Sequence, residues 1–195
     1  MITKFNIFLL VFVIAIVSSC RNNLPLSEKV SSYRLIDQDS TQVTFPDFAK
    51  GKILVVGYIF TNCPDVCPLT TNNMSIIQEK LKNGNISGVQ FVSISFDPAT
   101  DKPSVLKKFA EVRNLDLSNW KFLTGDKPTI KKLIKEVGVV AIPSDSTVLP
   151  GGSKQYYYVH TDRISLMDQS GTIRKNYPGS KIKINEILQD IKSLK

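Results

Sequence analysis

Residues 53–68 read Ile-Leu-Val-Val-Gly-Tyr-Ile-Phe-Thr-Asn-Cys-Pro-Asp-Val-Cys-Pro. The apolar-rich run from Ile53 to Phe60 shows none of the alternation of a strand with one wet face. It fits a strand buried on both faces, in a parallel or mixed sheet covered by helices. The run leads into a loop holding Cys63 and Cys67, and Pro68 then opens a helical pattern. A strand, a two-cysteine loop and a helix present thiols for redox chemistry or for a soft metal. The spacing is Cys-x-x-x-Cys, one residue longer than the Cys-x-x-Cys redox motif.

Outward from this unit, strands and helices alternate. Residues 32–37 and 42–48 predict a hairpin around Gln38-Asp39-Ser40, an N-terminal addition to the main sheet. After Pro68 a helix is predicted to about Leu81, with Leu69, Met74, Ile76, Ile77 and Leu81 facing the core and Asn83-Gly84 closing it. Residues 89–96 predict a second central strand, ending at Asp97-Pro98. Thr100 or Asp101 stands where a helix cap belongs, ahead of Pro103, with Val105, Leu106, Phe109 and Val112 packing inward. Residues 120–123 form a short strand, and Asp126 with Pro128 starts a third helix. Residues 138–154 hold Pro143, Pro150 and Gly151-Gly152 without a period and are expected to form a long loop. Tyr156, Tyr157 and Tyr158 follow, divided between core and surface. Residues 164–168 and 172–176 flank Gln169-Ser170-Gly171 as a C-terminal hairpin, and Ser180 is placed to cap a last helix with Ile184, Ile187, Leu188 and Ile191 on its face. The expected fold is α/β and thioredoxin-like: a central mixed sheet flanked by helices, with an N-terminal β-hairpin and a long loop before the C-terminal hairpin.

At 195 residues the chain is long enough for one domain with a sizeable core. Its formal charge is +8. The lysines are scattered singly or in pairs, with no basic run interleaved with aromatics, which argues against nucleic acid. A basic face toward an anionic membrane or an acidic partner fits better.

The first residues carry an address. Residues 5–17 hold no charge and are too short for a comfortable transmembrane helix, but suit the apolar core of a signal peptide. Val17-Ser18-Ser19-Cys20 follows and looks like the lipobox of bacterial lipoproteins; an uncleaved signal anchor is the plainer reading. The expected division is a signal peptide over 1–19, lipidated Cys20 with a linker over 20–29, and a domain over 30–195. Lipidation of Cys20 would account for the odd cysteine, leaving Cys63 and Cys67 in an exported, oxidising setting.

Two thiols one helical turn apart can close a disulfide or hold a soft ion, and a helix N-terminus favours thiolate. A static disulfide is the plainer alternative, yet so short a loop stabilises little. His160 is the single histidine. It stands just before the strand at 164–168, which a thioredoxin-like sheet sets beside the cysteine loop. Two thiolates and one imidazole suit Cu(I) and can hold Cu(II), whereas zinc normally takes a fourth ligand.

Phe60-Thr61-Asn62-Cys63-Pro64-Asp65-Val66-Cys67-Pro68, then Ser95-Phe96-Asp97-Pro98, then the distant His160, together resemble the Sco/SenC family over about residues 30–193. The resemblance implies a membrane-tethered copper metallochaperone that helps assemble the copper A centre of cytochrome c oxidase, with the copper-bearing oxidase subunit or another copper or thiol protein as partner. It implies Cys63, Cys67 and His160 as copper ligands and Asp97 as a residue that orders the site; a simple turn residue is the plainer reading of Asp97. It also implies a bacterial cell-envelope lipoprotein facing the periplasm. Many members carry an acidic residue just before the histidine, where this chain has Val159, which puts the orientation of the ring in question. A thiol–disulfide oxidoreductase reducing a partner's cysteines is the alternative function. A peroxidase-like thiol protein suits the fold, but the sequence shows no peroxidatic pocket.

Overall fold

The computed structural model describes residues 28–148 and 154–195. Cys20, the signal segment, and Pro150 with Gly151-Gly152 lie outside them. An eight-stranded sheet runs β1-β10-β9-β4-β5-β6-β2-β3. Its strands are β1 (Glu28–Lys29), β2 (Tyr33–Asp37), β3 (Gln42–Phe45), β4 (Ile53–Ile59), β5 (Val89–Ser95), β6 (Trp120–Thr124), β9 (Ile164–Met167) and β10 (Thr172–Tyr177). β4, β5 and β6 are parallel neighbours, and the remaining pairings are antiparallel. The helices are α1 (Val66–Asn83), α2 (Pro103–Val112), α3 (Lys127–Glu136) and α4 (Ile184–Ser193). This is the mixed, helix-flanked thioredoxin-like architecture expected from the sequence.

Every residue of β4 is buried, as its unbroken apolar run requires, and every residue of β5 is buried as well, the polar Gln90, Ser93 and Ser95 included. Each aliphatic side chain so buried contributes about 1.5–3 kcal/mol. α1 packs on β4 and against α4, and Gly57 of β4 lets it approach closely: a Cβ there would stand 2.5 Å from Met74 Sδ. Both hairpins expected from the sequence form, β2–β3 joining the sheet through β6 and β9–β10 through β4.

Several local expectations are corrected. Residues 138–154 are not a long loop: β7 (Ala141–Val148) and β8 (Lys154–His160) form an antiparallel hairpin with a register shift between Pro143 and Ser146. Proline and polar residues hide its period, and among the described residues it pairs only with itself. α1 starts at Val66, so Pro68 sits within its first turn, where a missing N–H costs nothing. Leu69 and Val112, expected inside, are 50% and 65% exposed. Lys102 and Lys183 hold the N-cap positions expected for Thr100 or Asp101 and for Ser180. Asp126 does cap α3, accepting from the Thr129 N–H. Among the described residues no helix is long and apolar enough to cross a membrane.

Candidate metal centre

The cysteine loop leaves β4 and Asp97 follows β5, so both stand at the carboxyl ends of parallel strands, where open α/β sheets place their ligands. Cys67 lies in the first turn of α1, but Cys63 precedes the helix. Their sulfurs therefore converge through the fold of the loop rather than by helical spacing. The Cys67 backbone N–H donates to Cys63 Sγ at 3.5 Å, giving that sulfur the part of a helix cap. The N-cap residue Asp65 makes no side-chain capping bond.

His160 ends β8, opposite Ala141, and turns its ring onto the two thiols. Its Nε2 is 3.9 Å from Cys63 Sγ and 3.8 Å from Cys67 Sγ, although 93 residues separate it from Cys67. The three donor atoms lie within 4.8 Å of one another. A sulfur about 2.3 Å and a nitrogen about 2.0 Å from one ion, at a trigonal angle, stand about 3.7 Å apart. The spacing therefore fits a single ion held between them. Nδ1 lies 3.3 Å from the Thr161 carbonyl oxygen, which only accepts, so Nδ1 keeps a proton and Nε2 is the atom offered to a metal.

Both cysteines are free and buried. The hydrogen bond from Cys67 pulls the Cys63 thiol down to about 4; burial opposes this, and His160 and the backbone N–H groups of Cys67 and Asp65 add to it. Cys67 goes the other way, pushed far above the ordinary thiol range by its bond to Cys63 and by burial. The pair thus holds one proton, on Cys67, and Cys63 is the thiolate. Burial works to lower the His160 pKa, but the bonds to Cys63 and Thr161 and the charges of Cys63 and Asp162 outweigh it, and the net shift is upward.

Aromatic rings wall the site. The His160 ring centroid is 5.8 Å from that of Phe60 and 5.1 Å from that of Phe96, and Tyr158 packs on both phenylalanines at 5.0 and 5.4 Å. Asp97 is buried, its N–H donates to Ser95 Oγ, and the Tyr158 hydroxyl donates to its Oδ1 at 3.4 Å. Val159 is 62% exposed and its neighbours on the strand point the other way, so an acid at that position would face away from the imidazole.

Two acids the sequence reading left out of the site fasten its parts. Asp162 accepts from Thr70 Oγ1 at 2.9 Å and from the N–H and hydroxyl of Ser180, joining the loop after His160 to the first turns of α1. Asp101, fully buried, accepts from the Thr61 N–H and hydroxyl and from Ser95 Oγ, joining the cysteine loop to the end of β5. Asp101 stands where a helix cap belongs, ahead of Pro103, but its carboxylate serves Thr61 and Ser95 instead. Nothing local marks Asp162 beyond its nearness to the histidine.

The SCO1/SenC family profile matches residues 22–195. A SCO1/SenC family lipoprotein from Bacillus anthracis superposes with a TM-score of 0.74 at 34% identity, covering 87% of this chain and 96% of that one. BsSco, described as a member of the Sco family of cytochrome c oxidase assembly proteins with a disulfide switch, gives 0.70 at 32%, covering 87% and 95%. Copper-bound ScoI from Bradyrhizobium japonicum gives 0.70 at 27%, covering 86% and 99%. Matched over nearly its whole length, the chain belongs to the SCO1/SenC family.

Proposed function

We propose that this chain is a copper metallochaperone, holding copper through Cys63, Cys67 and His160 and delivering it for assembly of the copper A centre of cytochrome c oxidase. The carrying observation is the convergence of two sulfurs and one imidazole nitrogen at single-ion spacing. Thiolates are soft donors that favour Cu(I), and imidazole extends the set to Cu(II). Zinc would want a fourth ligand, and the cluster among the described residues offers three. Ligand exchange with an incoming partner thiolate passes the ion on, the neutral imidazole being the donor that leaves first. Asp97 orders the site by holding Tyr158 against the phenylalanine pair. Lipidation of Cys20 would keep the domain at the periplasmic face of a bacterial membrane, in keeping with the relative named a lipoprotein.

The split protonation of the cysteines favours a second reading, a thiol–disulfide reductase. Cys63 thiolate attacks a partner disulfide, forming a mixed disulfide and releasing one partner thiolate. Cys67 then gives up its proton and displaces the second partner sulfur. The chain is left with a Cys63–Cys67 disulfide, and the partner has gained two electrons.

An anaerobic Cu(I) titration of the reduced protein against a competing chelator, beside His160→Ala, separates the two. One-to-one binding that weakens by about 10–100-fold in the variant supports the chaperone. Weak binding indifferent to His160 overturns it and leaves the reductase.

A further inference from the structure

A groove of about 570 Å³ opens beside the metal centre, between α3, the connection after β5, and the β7–β8 hairpin. Ile130 and Ile134 of α3 and Val139, Val140 and Ala141 give it an apolar floor. Val140 is 50% exposed, so this apolar surface is open to water. Lys127, Lys131 and Lys135 line the groove from α3, one per helical turn, all exposed. None of them joins an ion pair found among the described residues. The carboxylate lining the groove, Asp97, is buried and accepts from the Tyr158 hydroxyl.

We propose that this groove docks an acidic, apolar-tipped segment of the protein that receives the copper, a proposal that rests on the chaperone reading above. An apolar recess rimmed by unpaired cations calls for an occupant with a large apolar side chain and flanking carboxylates. The position of the groove selects the receiving protein. Phe96 and Tyr158 line the groove, and they are also the rings packed around His160. Tyr158 lies two residues before His160, on the same face of β8. A segment seated in the groove therefore touches the wall of the metal centre and brings its own metal-accepting groups to the side where His160 lets go. A membrane surface would meet the lysines equally well, but a broad bilayer face does not enter a recess between a helix and a hairpin.

The test uses the purified soluble copper A domain of the oxidase subunit as probe, titrated into the full chain in detergent. The chain carries Cys63→Ser and Cys67→Ser, so that neither copper nor disulfide exchange contributes. Saturable binding is expected, weakening with salt. Lys127→Glu/Lys131→Glu/Lys135→Glu is expected to raise Kd by about tenfold or more and to flatten the salt dependence. Val140→Glu, a second exposed site, is expected to raise it as well. Absent binding, or a Kd the lysine variant leaves unchanged, overturns the proposal. So does a lysine variant that keeps its affinity for the domain and loses only its affinity for phosphatidylglycerol vesicles. Failure of the copper titration with this docking intact would instead indict the chaperone reading.

Discussion

Thr70 donates a 2.9 Å hydrogen bond to Asp162, and this bond ties the helix that carries Cys67 to the loop directly after His160. The two halves of the metal centre come from distant parts of the chain, and Asp162 braces them. Asp162→Ala is predicted to lower Cu(I) affinity by about 10–100-fold, the usual effect of losing a brace behind a ligand. It should also destabilise the fold by about 1–3 kcal/mol, because Ser180 and Thr70 lose their acceptor. Asp162→Asn keeps one acceptor oxygen and should recover part of both. Chelator competition and thermal unfolding of the three proteins read the outcome; unchanged affinity in the alanine variant would show that the bond is incidental.

Gly179 makes that brace possible. A Cβ there would stand 2.5 Å from Asp162 Oδ1 and 2.6 Å from Thr70 Oγ1. The demand is for space, and the crowded atoms are already committed to each other. Gly179→Ala is predicted to cost about 1–3 kcal/mol in urea unfolding and to weaken copper binding along with it. Stability at the wild-type level would contradict this.

Cys63 should react as a thiolate across the neutral range. Its rate of alkylation by iodoacetamide is expected to stay level from neutral pH downward and to fall only toward about pH 4. Cys67→Ala removes the first cause of that low value, so the midpoint should move up toward the ordinary thiol range. The same shifts act on stability. Between about pH 4 and the ordinary thiol pKa of about 8.5, the unfolded chain binds two protons here and the native pair one, so stability rises with pH. Above about 8.5 the unfolded thiols are bare while Cys67 keeps its proton, and the contribution falls again. Denaturant unfolding of the reduced protein against pH, beside the double serine variant, should show that maximum.

Asp101 is predicted to be a structural acid. It is fully buried, and burial raises its pKa despite the bonds from Ser95 and Thr61. Between the ordinary carboxylate pKa and the raised native one, the native state therefore holds a proton that the unfolded chain has lost, and its contribution to stability declines as pH rises through that window. Asp101→Asn should flatten this dependence. Asp101→Ala, which strands Thr61 and Ser95, should cost about 2–4 kcal/mol and loosen the cysteine loop. Calorimetry across the acid range checks both, and an alanine variant of wild-type stability would refute the role.

Read alone, the sequence determined the core and the chemistry of this protein. The apolar run of β4, the strand residues at 89–96, the turns at 38–40 and 169–171 and the Asp126 cap are local signals, and each element formed where its own residues direct it. The two thiols and one imidazole are likewise legible as a soft ligand set, because residue chemistry does not depend on the fold. Only the tertiary structure decided the rest. It brought His160 within 3.8 Å of Cys67 Sγ across 93 residues, through a β7–β8 hairpin whose proline and polar residues leave no readable period. It took Asp101 and Ser180 from expected helix caps to hydrogen bonds with other parts of the site. A capping side chain has one local use and many distant ones, and buried partners that water cannot serve win that competition.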